Sequence, residues 1–414
     1  MLTFARETSG QPIHALTGTV MHQPSSQHFS SSSPVRTIVF IIGTRPEVIK
    51  VAPIIKRLRA SSWAVPRIIT SGQQSDLLSA ALSEFGLTSD HAIPHEKASH
   101  TPAHLVSYLI SRLDQLLEQE RPDCVIAQGD TTTAYAASLA AFYRQTPFVH
   151  IEAGLRTNDL SAPFPEEFHR RAIAVSAFLH CAPTSAAASN LIRENVSPER
   201  IIVSGNTVID ALLETAATKP LRPRHYPGGR TILLTAHRRE NFGAPLREAF
   251  TAVRAFVDVT PDVSVFFPVH PNPNARAAAQ DVLSDHPRIK LVDPLGYRDM
   301  VAALQNAWCV VTDSGGLQEE APALGKPVLV LRDVTERPEA IASGVVELVG
   351  TAKSAVFRAL YELDTSPQKH ARMSRSVFPY GDGHASMRIV EALRRHFELP
   401  ARTIESLQFD LQPG

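Results

Sequence analysis

The chain has 414 residues, 41 of them basic and 41 acidic, so its formal net charge is zero, which gives no global attraction to nucleic acid or to an anionic membrane. Hydrophobic residues make up 43 % and charged residues 20 %, a globular composition with apolar material for two or three domains and no run of about 18 apolar residues to cross a bilayer. The three cysteines, Cys124, Cys181 and Cys309, are dispersed within apolar runs, which argues against a disulfide framework or a CxxC metal site and fits small buried hydrophobes in a cytoplasmic, reducing setting.

Residues 1–35 contain QPSSQHFSSSSPV, with no apolar period and no continuous apolar core for a secretory signal, so a disordered leader or an over-extended start site is expected there. From Thr37 a rhythm begins. TIVFIIG is a β-branched apolar run that predicts a strand, and PEVIKVAPIIKRLRA after it is apolar at helical spacing. VPRIITSG reads as a strand, ALSEFGL as a helix, residues 100–120 as a long helix, and DCVIAQGD as a strand. TTTAYAASLAAFYRQ reads as a helix, and PFVHIEAG, FLHCAPT and RIIVSGN as further strands. TKPLRPRHYPGGR then interrupts the rhythm with prolines and glycines. The pattern restarts with TILLTAH, a helix over 245–257, VSVFFPVH, IKLVDPL, AWCVVTDSGG and KPVLVLRD, and closes on a helix over 386–397. Continuous apolar strands between amphipathic helices indicate parallel sheets covered on both faces. Two such series predict an α/β fold of two Rossmann-like lobes facing a cleft.

In open parallel sheets, ligands sit outside the carboxyl ends of the strands, so the residues that terminate each predicted strand matter. TIVFIIG runs into Thr44, Arg45, Pro46 and Glu47, DCVIAQG into Asp130 and a threonine run, and PFVH into Ile151 and Glu152. TILLTA runs into His237 and Arg238, VSVFFPV into His270, and AWCVVT into Asp313, Ser314, Gly315 and Gly316. Any one of these could be a helix cap. Six together, with His and Arg among them, point to an active cleft.

DSGGLQEE would bring free N–H groups at Gly315 and Gly316 to a bound anion at a helix start, with Ser314 as a hydroxyl donor. Glu319 and Glu320 could accept from two ribose hydroxyls; the alternative is a tight turn with a serine cap and a solvated acidic pair. In GTRPE, Pro46 suits the first helical position, and Arg45 projects toward the cleft, suited to bidentate contact with a phosphate or diphosphate. Lys50, one turn on, either supports it or is solvated. Asp130, Glu152, Glu166 and Glu167 make the first half acidic, and His150 and Glu152 share one strand face. Clustered carboxylates can push pKa values apart, as general acid–base chemistry requires. With His150 and His169 they could instead hold a metal, but no HxH, HExxH or DxD signature occurs and none is expected. Glu167 reads equally well as a surface residue. His237 favours ligand contact over a buried role, Arg238 suits a diphosphate, and Trp63 and Trp308 read as core.

GTRPEVIKVAPII, QGDTTTAYAASLAAFY, HIEAGLRT, PFPEEFHRR, GNTVIDAL, TAHRRENFG, PVHPNPNAR, TDSGGLQEEAPALGKPVLVLRDVTERPEA and PYGDG follow one another in an order that resembles the bacterial non-hydrolysing UDP-N-acetylglucosamine 2-epimerases, over nearly all of residues 37–397. The resemblance implies a glycosyltransferase-B type fold whose C-terminal helix crosses back to the first lobe, a homodimer, and no metal or redox cofactor. It divides the chain into a leader (1–35), an N-terminal lobe with the acid–base residues (36–205), a C-terminal UDP-binding lobe (206–381) and a crossover helix and tail packing on the first lobe (382–414). The implied reaction is inversion at C2 of UDP-GlcNAc to give UDP-ManNAc for cell-surface polysaccharide synthesis, by elimination of UDP to 2-acetamidoglucal and re-addition. Asp130, Glu152 and Glu166 match the family's acid–base carboxylates. His237 and Arg45 match its UDP contacts; Ser314, Gly315, Gly316 and Glu320 match its phosphate and ribose contacts; Arg337 matches a nucleotide-binding position.

Three positions, in two regions, depart from that pattern. Gln74 and Ser75 replace a His and an Arg in a region associated with a second, activating UDP-GlcNAc, and Met300 replaces an aromatic residue at the uracil, which leaves a modified UDP-N-acetyl sugar open as substrate. The rival readings are a hydrolysing 2-epimerase that releases ManNAc and UDP, a glycosyltransferase of the same fold, and a nucleotide-sugar sensor without chemistry. Several carboxylates in the first half speak against the last two.

Overall fold

The alternation of apolar runs and amphipathic helices folds into two parallel sheets. The computed structural model describes residues 34–72, 75–94, 101–218, 223, 225–227, 229–335 and 337–399; residues 1–33 of the expected leader, Gln74 and the tail from 400 lie outside them. The first sheet holds β1 (Arg36–Ile42), β2 (Ala64–Thr70), β3 (His91–Ala92), β4 (Cys124–Gln128), β5 (Phe148–Ile151), β6 (Leu179–Ala182) and β7 (Ile201–Val203). Its spatial order is β3-β2-β1-β4-β5-β6-β7. Around it run α1 (Arg45–Arg59), α2 (Ser75–Glu84), α3 (Pro102–Glu120), α4 (Thr132–Tyr143), α5 (Glu166–Ser176) and α6 (Ser185–Arg193). After α7 (Thr207–Ala217) comes the second sheet, of β8 (Arg230–Thr235), β9 (Val263–Pro268), β10 (Ile289–Val292), β11 (Cys309–Thr312), β12 (Val328–Val330) and β13 (Val346–Leu348), ordered β10-β9-β8-β11-β12-β13. Its helices are α8 (Ala244–Val259), α9 (Pro273–Leu283), α10 (Tyr297–Asn306), α11 (Gly315–Ala323), α12 (Pro338–Ala342), α13 (Lys353–Thr365) and α14 (Pro367–Met373), and α15 (Ala385–His396) closes the described chain.

Parallel strands buried on both faces have to be apolar throughout. In β1, Ile38, Phe40 and Ile42 face the cluster built with Val48, Val51 and Ile55 of α1, while Val39 and Ile41 face Leu109 and Leu113 of α3 and the alanines of α4. The period-2 alternation of strand side chains therefore feeds two cores from one strand. The second sheet repeats the scheme, with Ile232 and Leu234 on one side and Leu233 on the other. All three cysteines are buried free thiols, as expected from sequence; burial pushes each thiol well up. Among the described residues no helix is long and apolar enough to cross a membrane.

The chain changes lobes ahead of the proline-rich segment. Val208, Ile209 and Leu212 of α7 already belong to the core of the second sheet, and Ile389 and Leu393 of α15 return to the core of the first. The two crossings touch. Gly205 (φ 84°) and Gly381 (φ 135°) lie so close that a Cβ on either would come within 3.3 Å of the other's Cα, a double reason for glycine. Asp210 of α7 caps α15, its carboxylate accepting from the Ala385 and Ser386 N–H groups (3.1 and 2.8 Å) and from the Ser386 hydroxyl (2.5 Å). Arg57 of α1 donates to the same hydroxyl (2.7 Å).

In each sheet the strand order reverses direction between its two central strands, β1 and β4 in the first, β8 and β11 in the second. Such switch points open crevices at the carboxyl ends of the strands. One local expectation shifts by a residue: Thr44 caps α1 and Arg45, not Pro46, opens it. Truncating Asp210 to alanine strands three donors, and Asp210→Ala is expected to lower stability by about 1–3 kcal/mol; a urea midpoint equal to wild type would show that this cap does not hold the crossover helix.

Candidate active site

The two switch points line one cleft of about 590 Å³. Of the candidate site residues, Arg45, Lys50, Asp130, Glu152 and Glu166 from the first lobe and His237, Arg238, Ser314, Gly315, Gly316, Glu320 and Arg337 from the second line it.

The first-lobe wall is carboxylate-rich and tightly braced. Glu47 completes a capping box with Thr44, accepting from the Gly43 and Thr44 N–H groups and the Thr131 hydroxyl, each at 2.6 Å. The start of α1 is thereby tied to the loop after β4. Arg45 makes no side-chain hydrogen bond or ion pair with the described residues and stays available to an anion. Lys50 is not solvated: its Nζ lies 2.6 and 2.5 Å from the two carboxylate oxygens of Glu152. Glu152 stands in the left-handed region (φ 64°), which disfavours an L side chain, and also accepts from Gln128 Nε2 and from Asn206 Nδ2 (2.9 Å). Burial alone would raise its pKa, but the Lys50 ammonium and then Arg337 outweigh it and hold the carboxyl below its usual range.

Asp130 pairs with Arg170 at 2.6 Å, and Arg170 also grips Glu167 at 3.0 Å. Glu167 is therefore not a surface residue. It is fully buried and accepts from the Thr157 and Asn158 N–H groups (3.0 and 3.1 Å), anchoring the loop before α5. Glu166, the first residue of α5, has a buried Oε2 with no hydrogen-bond partner among the described residues, an atom left for a ligand. The histidines weighed as metal ligands point elsewhere: His150 Nε2 donates to the Gly129 carbonyl (2.7 Å) and His169 Nδ1 to the Asp130 carbonyl (2.8 Å). Burial brings His150 down to about 4.

The second-lobe wall is built for an anion. Asp313, fully buried, accepts from the His237 N–H (3.0 and 2.9 Å to its two oxygens) and from the Arg238 N–H (2.9 Å), and lies 3.2 Å from His237 Nδ1. His237 is thus fixed at the end of β8 with Nε2 left for the cleft, stacked on His270 (5.2 Å between centroids). Ser314 occupies the N-cap of α11, yet its hydroxyl makes no capping bond, so the serine-cap alternative fails. A Cβ on Gly315 would sit 2.6 Å from Arg337 Nη1. Glycine at that position therefore lets the guanidinium lie across the helix N-terminus, where unpaired N–H groups already favour negative charge.

The acidic pair of α11 divides. Glu319 is buried, accepting from Arg337 Nε (2.6 Å) and Asn206 Nδ2 (2.6 Å), and has no free edge for a ribose. Glu320 lines the cleft and accepts from the Tyr297 hydroxyl (2.9 Å); burial pushes its carboxyl up to about 7. Sequence reasoning did not single out Gln128, Arg170, Asn206 or Tyr297. GNT before a helix reads only as a cap, and nothing local marks the other three. Met300 lines the cleft as expected, whereas Gln74 and the side chain of Ser75 lie outside the described residues.

Residues 56–394 match the family model described as UDP-N-acetylglucosamine 2-epimerase. The chain is 43 % identical to the UDP-N-acetylglucosamine 2-epimerase of Bacillus subtilis over 362 residues, 87 % of this chain and 95 % of that protein. The crystal structure of the Neisseria meningitidis UDP-GlcNAc 2-epimerase bound to UDP-GlcNAc superposes with a TM-score of 0.83 at 39 % identity, over 87 % of this chain and all of that one. The Methanocaldococcus jannaschii enzyme in complex with UDP-GlcNAc and UDP gives 0.75 at 30 %, over 87 % and 99 %. The glycosyltransferase-B type fold is thereby shown, with its last helix crossing back.

Because Glu320 is raised by folding above its ordinary 4.5, its contribution to stability is complete below that value and lost as the pH climbs through about 7. Glu320→Gln, isosteric with the protonated form, should therefore raise Tm relative to wild type more at about pH 8 than at about pH 5. An equal difference at both would contradict the burial of this carboxyl.

Proposed function

The chain belongs to the UDP-N-acetylglucosamine 2-epimerase family and is an isomerase of that kind, and from this we propose that it interconverts UDP-GlcNAc and UDP-ManNAc without releasing the sugar. The C2 proton of an acetamido sugar is weakly acidic, so a free carbanion would be costly. In the proposed route a carboxylate removes that proton as the C1–O bond to UDP breaks, leaving 2-acetamidoglucal and UDP. The diphosphate oxygen then re-adds to C1 while a carboxylic acid delivers a proton to the opposite face of C2. No outside oxidant or reductant is required.

The observation that carries this reading is the division of the cleft: an acid–base wall of Asp130, Glu152 and Glu166 faces a cationic, N–H-rich wall around Arg337 and the start of α11. Asp130, Glu152 and Glu166 are the proton-transfer groups. Arg45, Arg238, Arg337, His237 and the Ser314–Gly316 turn hold the departing diphosphate, where developing negative charge is stabilised most. Glu320 takes the ribose. Lys50 acts through Glu152, which it keeps ionised. UDP-ManNAc formed this way would feed cell-surface polysaccharide synthesis. We also read the protein as a homodimer. Phe142 of α4 and Phe168 and Val175 of α5 are exposed on neighbouring helices, an apolar patch suited to a second copy.

The test is incubation with UDP-GlcNAc in deuterated water, followed through the anomeric NMR signals. UDP-ManNAc carrying deuterium at C2 is expected from wild type. Asp130→Asn and Glu166→Gln should each slow exchange by about a hundredfold or more while still binding UDP. Free ManNAc and UDP in place of UDP-ManNAc, or wild-type exchange in both variants, would overturn the assignment.

A further inference from the structure

GNTVIDAL is a motif that the reaction leaves unused. Its Asn206, 2 % exposed, sits where the chain first passes from one lobe to the other. Its N–H donates to the Tyr380 carbonyl on the returning segment (2.5 Å). Its side-chain oxygen caps α7 by accepting from the Val208 N–H (3.2 Å). Its Nδ2 donates both to Glu152 Oε1 of the first lobe (2.9 Å) and to Glu319 Oε2 of the second (2.6 Å). Every polar atom of the side chain is thus committed, one acceptor to the helix and two N–H donors to two carboxylates. Only an amide offers that set. Serine would keep the cap and lose both donors; aspartate would add a third carboxylate between two others.

We propose that Asn206 is a positioning residue for the epimerisation, coupling the diphosphate side of the cleft, through Arg337 and Glu319, to the proton-transfer carboxylate Glu152. The inference rests on the reading of Glu152 as an acid–base group. Glu319 shares its two oxygens between Arg337 Nε and Asn206. An anion drawing on the Arg337 guanidinium leaves Glu319 leaning harder on the amide, and the same amide nitrogen holds Glu152. The groups that face Glu152 and set its charge are Lys50 on α1, His150 on its own strand, Glu319 on α11 and Arg337 before α12, with Gln128 and Asn206 as neutral donors. Asn206 hydrogen-bonds both Glu152 and Glu319.

Two variants test this with opposite signs. Asn206→Ser keeps a cap for α7 but removes a donor to the ionised form of Glu152, so the pKa of Glu152 rises. The acid limb of the kcat–pH profile should move to higher pH, with kcat down about tenfold and UDP affinity within about threefold of wild type. Glu319→Gln removes a negative neighbour and frees the Arg337 charge toward Glu152, so the acid limb should move to lower pH. A role confined to folding would lower Tm without displacing the limbs in opposite directions. Acid limbs that coincide with wild type, or that move the same way in both variants, overturn the inference. If wild type shows neither turnover nor exchange with UDP-GlcNAc, the proposed reaction fails instead. The pH dependence of UDP binding then carries the same comparison, with oppositely displaced breaks supporting the coupling and coincident breaks overturning it.

Discussion

A carboxylate that stays ionised inside a protein has to be paired, because an unpaired buried carboxylate is costly enough that the group takes up a proton instead. Glu152 is such a group. It is held by Lys50, Gln128 and Asn206, and the last of these leads on to Glu319 and Arg337 in the other lobe. The lobes therefore meet through one buried network as well as through apolar packing. Each member is satisfied by another, and removing one strands its neighbours. The left-handed backbone at Glu152 is a conformation that this bracing holds in place.

The fold supplies the geometry that the network occupies. Both sheets are parallel, and each reverses its strand order between its two central strands, so each opens a crevice at its carboxyl edge. The chain crosses at Gly205 and returns at Gly381, and these residues pack against each other. With both crossings at one point, and α15 capped by Asp210, the two crevices face each other across a single cleft. Asp130, Glu152 and Glu166 line the first-lobe side beside Arg45, and His237, Arg238, Arg337 and the start of α11 line the other. A nucleotide sugar, acidic at its diphosphate and reactive at its hexose, suits that polarity.

Much of this was legible in the sequence, because it rests on local signals. Continuous apolar strands ending in Arg45, Asp130, Glu152, His237 and Ser314 announce two sheets and the edge where a ligand sits. Pairings between distant segments were not legible. Lys50 looks like any solvated helix lysine until Glu152, 102 residues away, arrives beside it. Glu167 looks like the exposed half of an acidic pair until the Thr157 and Asn158 N–H groups and Arg170 close around it. Glu319 and Glu320 are adjacent in sequence, but helical geometry turns one toward Asn206 and the other toward Tyr297. Asn206 carries a cap signature that hides its second task. The family resemblance located the residues of the cleft; the bracing behind them came only with three dimensions.

A crystal structure with UDP-GlcNAc bound tests the division of the cleft most directly. The diphosphate is expected at the Ser314–Gly316 turn between Arg45 and Arg337, with C2 of the hexose within reach of Asp130, Glu152 or Glu166. A hexose turned away from all three carboxylates, or a diphosphate seated away from the start of α11, would contradict it.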